Sequence, residues 1–405
     1  MNMKRIKGAV RKLGMKDITL NSHEKQGEVL YNGENNSRGQ KRITLLFLGS
    51  TGAGPVYSLE MAKALVASGQ CQLQCVVSQR VSNIDDWVNS FRERNVKLEI
   101  VDTYKHSKLW FAISLLEFWK VKRIVKTIRI FQPDVLYVPF LLTWDFLLYP
   151  RLYKKMRIIA TLHDPHPHDV SKNLFAKWIN KQNKQAYKYV NDVVILNNSD
   201  VQYVRDNYCP NVHVIPHASF SSYVKDTDVE KEIKHTIGFL GRIEPYKGLD
   251  LLIEAFEQLD NKYKLIVAGS GKIDETTYKK IVENDRIELI NRYIEDDEFT
   301  GLINRMDFVL LPYKRASQSG VIPLVFAHGK SVVATNVGAL QEQVPENTGR
   351  ITEPTATALA QAIKEMYEAP AVILEYGKAA KAYADRELTW ESSAKKVLDI
   401  VNQNQ

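Results

Sequence analysis

Short apolar runs rich in β-branched residues recur along this chain, each followed by a turn and then by apolar residues at helical spacing. That alternation leaves few folds open. The clearest case is RITLLFLG (42–49), an apolar run that ends in glycine. A glycine-rich loop follows, and then VYSLEMAKALVASG, in which Leu59, Ala62, Lys63 and Val66 share a helical face and Gly69 marks a stop. The pattern repeats through LQCVVS (73–78), KLEIVD (97–102), DVLYVP (134–139), RIIATLHD (157–164), DVVILNN (192–198) and VHVIPH (212–217). Uninterrupted apolar strands are those buried on both faces, so the series predicts an α/β fold with a doubly wound parallel sheet.

After a polar, charged stretch the series starts again: the run at 237–241, KLIVAGSG (264–271), RIELINRY (286–293), DFVLLPY (307–313) and SVVATNVG (331–338). Single cores stop growing near roughly 250–300 residues, so 405 residues in two such series read as two Rossmann-like domains facing across a cleft. The boundaries expected are a flexible basic N-terminal arm over 1–41, a first domain over 42–220, a linker over 221–235 and a second domain over 236–385.

Composition narrows the partners. Lys and Arg number 55 against 47 Asp and Glu, a net charge of +8, which favours an anionic partner without choosing its kind. Cys71, Cys75 and Cys209 have no metal-ligand spacing and read as thiols in a reducing compartment. The basic N-terminal stretch MNMKRIKGAVRKLGMKD lacks the apolar segment of a signal peptide. The longest apolar run, VLYVPFLLTWDFLLY from Val135, is cut by Pro139 and Asp145 and is too short to span a bilayer. The expectation is a cytoplasmic protein.

In open α/β sheets ligands bind at the carboxyl ends of strands, and four polar motifs fall there. GSTGAGP (49–55) puts Gly52 and Gly54 before a helix N-terminus, which suits a tight turn as well as an anion-binding loop. TLHDPHPH carries His163, Asp164, His166 and His168. A His-Pro-His loop has no fixed ligand geometry, which disfavours a metal and reads His166 and His168 as loop surface, whereas His163 at the strand end suits a hydrogen bond to a substrate hydroxyl as well as a purely structural role. In GRIEPYKG, Arg242 and Lys247 sit before a helix whose face is Leu249, Leu252, Ile253 and Phe256. Two cations beside a positive helix end either point to solvent and pair with Glu244, or neutralise a diphosphate. Finally RASQSGVIPLVFAHGK opens a helix with the polar loop Ser317, Gln318, Ser319 and Gly320, again offering backbone N–H groups, and closes it at Gly329.

Taken together these motifs resemble the GT-B-fold glycosyltransferases, particularly the large retaining family 4, over nearly the whole chain from Arg42. GRIEPYKG resembles the family's diphosphate loop, VAGSG the following strand-turn, and DFVLLPY, SQSGVIPL and HGKSVVATNVGALQE the donor-binding block. LTW (388–390) resembles the start of a last helix, over 386–405, that crosses back to the first domain. The resemblance implies that Arg242 and Lys247 hold the donor's diphosphate and stabilise its departure. It also implies that His163 contacts the transferred sugar, that Gly52 and Gly54 admit phosphate or acceptor, and that Gly269, Ser319, Gly320 and Val321 line the donor site. No metal is implied, and the nucleotide sugar is a substrate rather than a cofactor. The sequence departs from the family where two glutamates eight positions apart are usual: Ala316 and Leu324 stand there, with no Glu between Tyr313 and Gln341. VIPHAS likewise has Ala218 where a glycine is usual.

YKHSKLWFAISLLEFWKVKRIVKTIR (104–129) has seven Lys and Arg against one Glu, with Trp110, Phe111, Phe118 and Trp119 interleaved. This suits either docking on an anionic inner-leaflet surface or packing on a sheet with a solvated basic face. The first option fits a lipid-linked acceptor, and a saccharide acceptor is the alternative. Two rival functions follow from the charge and the missing glutamates: a basic nucleic-acid-binding protein, and an inactive GT-B scaffold. No nucleic-acid-binding motif occurs, so no nucleic-acid partner is expected.

Overall fold

In the computed structural model the described residues are 39–92, 94, 96–103, 117–140, 144–166, 174–219, 233–295 and 298–403. They lie in one compact unit, Gly39–Gln405. The arm before it, most of the linker, the segment 104–116 and His168 fall outside them.

The first series gives β1 (Lys41–Phe47), α1 (Gly54–Ala67), β2 (Cys71–Ser78), α2 (Ile84–Phe91), β3 (Lys97–Val101) and α3 (Phe118–Phe131). It continues with β4 (Val135–Val138), α4 (Asp145–Leu152), β5 (Arg157–Thr161), α5 (Leu174–Ala186), β6 (Asp192–Ile195), α6 (Val201–Asn207) and β7 (Val212–Val214). These strands form a parallel seven-stranded sheet in the order β3-β2-β1-β4-β5-β6-β7. The central strands β1 and β4 are the continuous apolar runs, with Leu45 opposite Tyr137 and both buried.

The second series gives β8 (Thr236–Leu240), α7 (Leu249–Phe256), β9 (Lys264–Ala268), α8 (Glu275–Val282), β10 (Ile287–Ile290), α9 (Phe299–Asn304) and β11 (Phe308–Leu311). Then come α10 (Val321–Ala327), β12 (Ser331–Thr335), α11 (Leu340–Gln343), β13 (Gly349–Thr352), α12 (Ala356–Glu368), α13 (Pro370–Glu387) and α14 (Trp390–Asn402). Its sheet is parallel, six-stranded, and ordered β10-β9-β8-β11-β12-β13. The pleat divides its side chains into two layers. Ile237, Phe239, Leu265, Val267 and Leu310 pack with α7 and α12, whereas Ile266, Ala268, Val309, Leu311 and Val332 pack with α10 and α13. β13, absent from the sequence reading, is a short half-buried edge strand whose pattern is too weak to stand out.

The last helix leaves this second sheet. Trp390, Ala394, Val397, Leu398 and Val401 of α14 join the core of the first sheet, with the Trp390 ring edge-on to Tyr57 of α1 at 4.9 Å. Each sheet reverses its strand order once, between β1 and β4 in the first and between β8 and β11 in the second. These switch points place the site.

Candidate active site

The loops leaving β8 and β11 flank the switch point of the second sheet, where a crevice opens in folds of this kind. GRIEPYKG is the first loop and PYKRASQSG the second. They are closely joined: the Lys314 N–H donates to Tyr246 O at 2.7 Å, and Lys314 Nζ lies 2.5 Å from Asp250 Oδ2. Gly248 has φ +68° and a Cβ there would fall 2.0 Å from Pro312 O, so only glycine both takes the left-handed turn and admits that carbonyl.

Pro245–Lys247 wind into a single 3-10 turn that buries Lys247, leaving it 8% exposed. Its Nζ lies 5.2 Å from the centre of the Tyr313 ring, and the ammonium makes no hydrogen bond or ion pair with the described residues. Burial pulls its pKa below the ordinary lysine range. A cation so placed is stabilised when an anion joins it. Arg242 behaves differently. Its side chain is 74% exposed and lies 3.8 Å from Glu244, yet its charge bears on both Lys247 and Tyr313. Spacing treats the two cations as a pair, but the fold buries only one.

Tyr313 continues the site. Its hydroxyl lies 3.2 Å from Ser319 Oγ, and burial pushes its pKa up to about 12. The Ser319 N–H is already engaged by Gln343 Oε1 at 2.7 Å, and the Val321 N–H by Ser319 Oγ at 3.3 Å. Of the three backbone donors expected here, only that of Gly320 makes no hydrogen bond among the described residues. Gly320 faces the first sheet, because a Cβ there would lie 3.8 Å from His217 Nε2.

On that side an aromatic enclosure has formed at the ends of β4, β5 and β7. The His163 Nε2–H donates to Pro139 O at 2.9 Å, which leaves Nδ1 as an acceptor. Its ring lies 4.1 Å from Phe140 and 4.6 Å from Tyr57. Burial drives its pKa down to about 3, only partly offset by the Pro139 carbonyl, so the imidazole is neutral. The His217 Nδ1–H donates to Ala218 O at 2.7 Å, and burial lowers its pKa as well. The ring centres of His163 and His217 are 6.3 Å apart. Lys247, Tyr313, Ser319, Gly320, His217 and His163 thus form a chain of neighbours that crosses from one sheet to the other.

Tyr57, Phe140 and His217 were missed by sequence reasoning. The available signal was position, since Phe140 and His217 each follow the end of a strand. His166 pairs with Asp200 at 2.8 Å and stacks on Tyr203, away from His163.

At several expected positions the structure supplies other neighbours. Gly54 is buried beneath the rings of Phe47 and Phe140, where a Cβ would come within 3.0 and 3.3 Å, so packing alone already favours glycine there. Gly52 alone of that pair is exposed, with nothing within 4 Å of a Cβ position. At Gly269, a Cβ would fall 1.9 Å from Gly241 O, so that glycine lets the loops after β8 and β9 touch. Ser319 and Val321 spend their N–H groups internally, as above. Leu324 is buried in the apolar layer of α10, and the Ala316 carbonyl abuts Gly338, so neither position brings an acid to the crevice.

Two parallel sheets of this order, joined through their carboxyl-end loops and by a helix that returns to the first, define the GT-B architecture. A solved structure of Anabaena HepE in complex with UDP matches with a TM-score of 0.68 at 15% identity, covering 89% of this chain and 99% of that one. The family description "Glycosyltransferase Family 4" matches residues 55–218 and "Glycosyl transferases group 1" matches residues 234–369. The chain belongs to the group 1 and family 4 type of GT-B glycosyltransferases. An uncharacterized glycosyltransferase of Methanocaldococcus jannaschii is 34% identical over 124 residues, 29% of this chain and 34% of the relative. A capsular polysaccharide biosynthesis glycosyltransferase of Staphylococcus aureus, CapM, is 33% identical over 125 residues, 29% of this chain and 32% of the relative. The chain therefore spans about a third of the length of these curated relatives.

Proposed function

We propose that this chain is a hexosyltransferase that moves a sugar from a UDP- or GDP-sugar to a lipid-linked or saccharide acceptor, with retention at the anomeric carbon. It would serve the synthesis of a cell-surface polysaccharide or glycolipid. The observation that carries the reading is Lys247, a buried ammonium at the switch-point crevice without an acidic partner in contact. A diphosphate supplies the missing counter-charge, and the likeness to a structure holding UDP supports that choice of anion.

As the bond between the anomeric carbon and the diphosphate oxygen breaks, the electron pair leaves on that oxygen. Lys247 as a point charge and Arg242 as a fork meet the charge that develops. The neutral His163 offers Nδ1 to a donor hydroxyl and orients the sugar. The acceptor hydroxyl forms the new bond, and its proton departs with the diphosphate. The reading assigns the leaving-group charge to these two cations and names no metal.

The basic outer face of α3 supports a peripheral site on the inner membrane face, with the lipid-linked acceptor in the same plane. The described residues include no helix long and apolar enough to cross a membrane. A second reading, a scaffold that binds nucleotide without transfer, draws on the buried Leu324 and on Ala316.

The test is titration calorimetry with UDP, GDP and ADP on the wild type, Lys247→Met and Arg242→Ala, followed by turnover with the matching nucleotide sugars. One diphosphate should bind, and Lys247→Met should weaken it by roughly 100-fold, the penalty of removing one partner of a buried charge pair. Both variants should lose roughly 100-fold in turnover. Equal affinity and turnover in wild type and variants would remove the diphosphate assignment. Binding with no turnover from any donor selects the scaffold.

A further inference from the structure

The helix α11 is only four residues long, and its last two side chains point to different tasks. Glu342 crosses to the first sheet. Its Oε1 accepts from the Asn198 N–H and from Asn198 Nδ2, each at 2.5 Å, and its Oε2 accepts from the Ser199 N–H at 3.1 Å and from Ser199 Oγ at 3.0 Å. Gln343 turns back into its own half. Its Oε1 takes the Ser319 N–H at 2.7 Å and its Nε2 lies 3.4 Å from Ser319 O, so one amide spans both backbone groups of that residue.

The same loop is gripped a second time from the first sheet. Ser317 Oγ donates to Asp164 Oδ1 at 2.6 Å, and Asn197 Nδ2 donates to Ser317 O at 3.0 Å. Asn197 is itself locked by Asp200, whose N–H it accepts at 2.9 Å while donating to Asp200 Oδ2 at 2.9 Å. The shape of the loop carrying Ser319 and Gly320 is therefore set by groups that belong to the other sheet, directly at Ser317 and through α11 at Ser319.

We propose that Glu342 and Gln343 are positioning residues that couple docking of the two halves to the conformation of the Ser319–Gly320 loop. When Glu342 is clasped to Asn198 and Ser199, α11 is seated and Gln343 holds the Ser319 backbone in register with His217. When the clasp opens, α11 loosens and the loop loses its anchor. Linkage makes the effect reciprocal: a nucleoside diphosphate that orders the loop tightens the clasp by the same factor. That last step rests on the donor reading above, whereas the coupling itself does not.

The measurement is hydrogen–deuterium exchange on the full chain, read on peptides covering residues 314–321, for the wild type, Gln343→Ala, Glu342→Ala, and the Asn198→Ala/Ser199→Ala double variant. All three variants should speed exchange at Ser319, Gln343→Ala and Glu342→Ala by about tenfold, the change expected when a protecting hydrogen bond opens locally. Exchange in β8 and β9 should stay at the wild-type rate, which shows that the fold is intact. The double variant removes two of the four donors to Glu342 and leaves the Asn198 and Ser199 N–H groups in place, so Glu342→Ala, which removes all four bonds, is decisive. Wild-type protection of Ser319 in that variant overturns the coupling, even if Gln343→Ala has its effect. Glu342→Gln, which keeps one acceptor oxygen, should fall between wild type and Glu342→Ala. Adding UDP or GDP should slow exchange in the wild type more than in the double variant. If neither nucleotide changes the wild type, the donor reading fails while the comparison of unliganded proteins still decides the coupling.

Discussion

Lys247 and His163 are both basic side chains whose burial works against their charge, yet they do so to different ends. Burial pulls the pKa of Lys247 below the ordinary lysine range, and the proposed diphosphate would offset that cost, whereas His163, held at about 3, is neutral at any ordinary pH. The sign of the stability effect follows. The folded-state pKa of His163 lies below the unfolded value near 6.5, so the unfolded chain takes up the proton first as the pH falls. The contribution is complete above about pH 6.5 and is lost below it, at up to about 1.4 kcal/mol per pH unit for each such histidine. His217, shifted in the same direction by the same cause, adds to it. Urea midpoints measured at pH 7.5 and pH 5 should therefore fall further for the wild type than for His163→Gln. Parallel drops in the two proteins would show that the imidazole is not buried in neutral form.

At the scale of elements, Arg157 is the residue through which three of them meet. It stands at the start of β5, where its Nε lies 2.6 Å from Asp192 Oδ2 at the start of β6. Its Nη1 donates to Ile400 O at 2.8 Å and to Gln403 O at 3.0 Å, at the carboxyl end of α14. Burial works against the Asp192 charge, but His213 and Arg157 outweigh it and keep its pKa below the usual carboxylate range. Removing the guanidinium leaves a buried carboxylate short of a partner and frees the end of the returning helix. Arg157→Met should cost roughly 3 kcal/mol in urea unfolding and speed hydrogen exchange across residues 397–403. Arg157→Lys, which keeps a charge for Asp192, should cost less. A loss of stability with no change in exchange at α14 would mean that the carbonyl contacts contribute nothing.

For the whole molecule, the face of α3 bears on how the protein meets its surroundings. Val121, Ile124, Val125, Ile128 and Phe131 of this helix are buried. Trp119 is 64% and Ile130 62% exposed beside the exposed cations Lys122, Arg123 and Lys126. A groove lined by Lys122, Lys126, Arg129, Ile130 and Arg151 runs along the same side. The described part of this stretch thus packs one face on the first core and leaves a basic face in solvent, and docking of that face on a membrane is the proposal that the next measurement tests. Sedimentation with vesicles containing a third phosphatidylserine should retain the protein at low salt, and vesicles of phosphatidylcholine alone should not. Trp119→Ala with Lys122→Glu and Lys126→Glu should weaken retention by at least 10-fold, given about 1 kcal/mol per cation near an anionic surface. Unchanged retention in the triple variant would place any membrane contact elsewhere.

Much of the architecture was legible in the chain. The two β/α series, the runs that became β1, β8 and β11, and the helix following Gly248 are all local patterns, because burial on both faces of a strand leaves a continuous apolar run and a helix face repeats every three or four residues. The motifs that mark the crevice were also legible, since strand ends and helix starts are fixed by the same periodicities. What the residues do inside it was less so. Arg242 and Lys247 look equivalent in GRIEPYKG, and nothing within five residues says that a 3-10 turn will bury one and leave the other beside Glu244. Gly54 and Gly269 read as ligand-facing glycines, yet their neighbours are Phe140 and the carbonyl of Gly241, brought in by other strands. The partners of Ser317 and Glu342, Asp164 and Asn198, are 153 and 144 residues away in the chain. By itself, then, the sequence determined which segments become strands and helices and that they wind into two parallel sheets, because those choices are made by the periodicity of each segment. Only the tertiary structure decided which loops meet, which cation is enclosed, and which side chains tie the halves together, because such contacts depend on how distant segments pack and leave no periodic trace in any one of them.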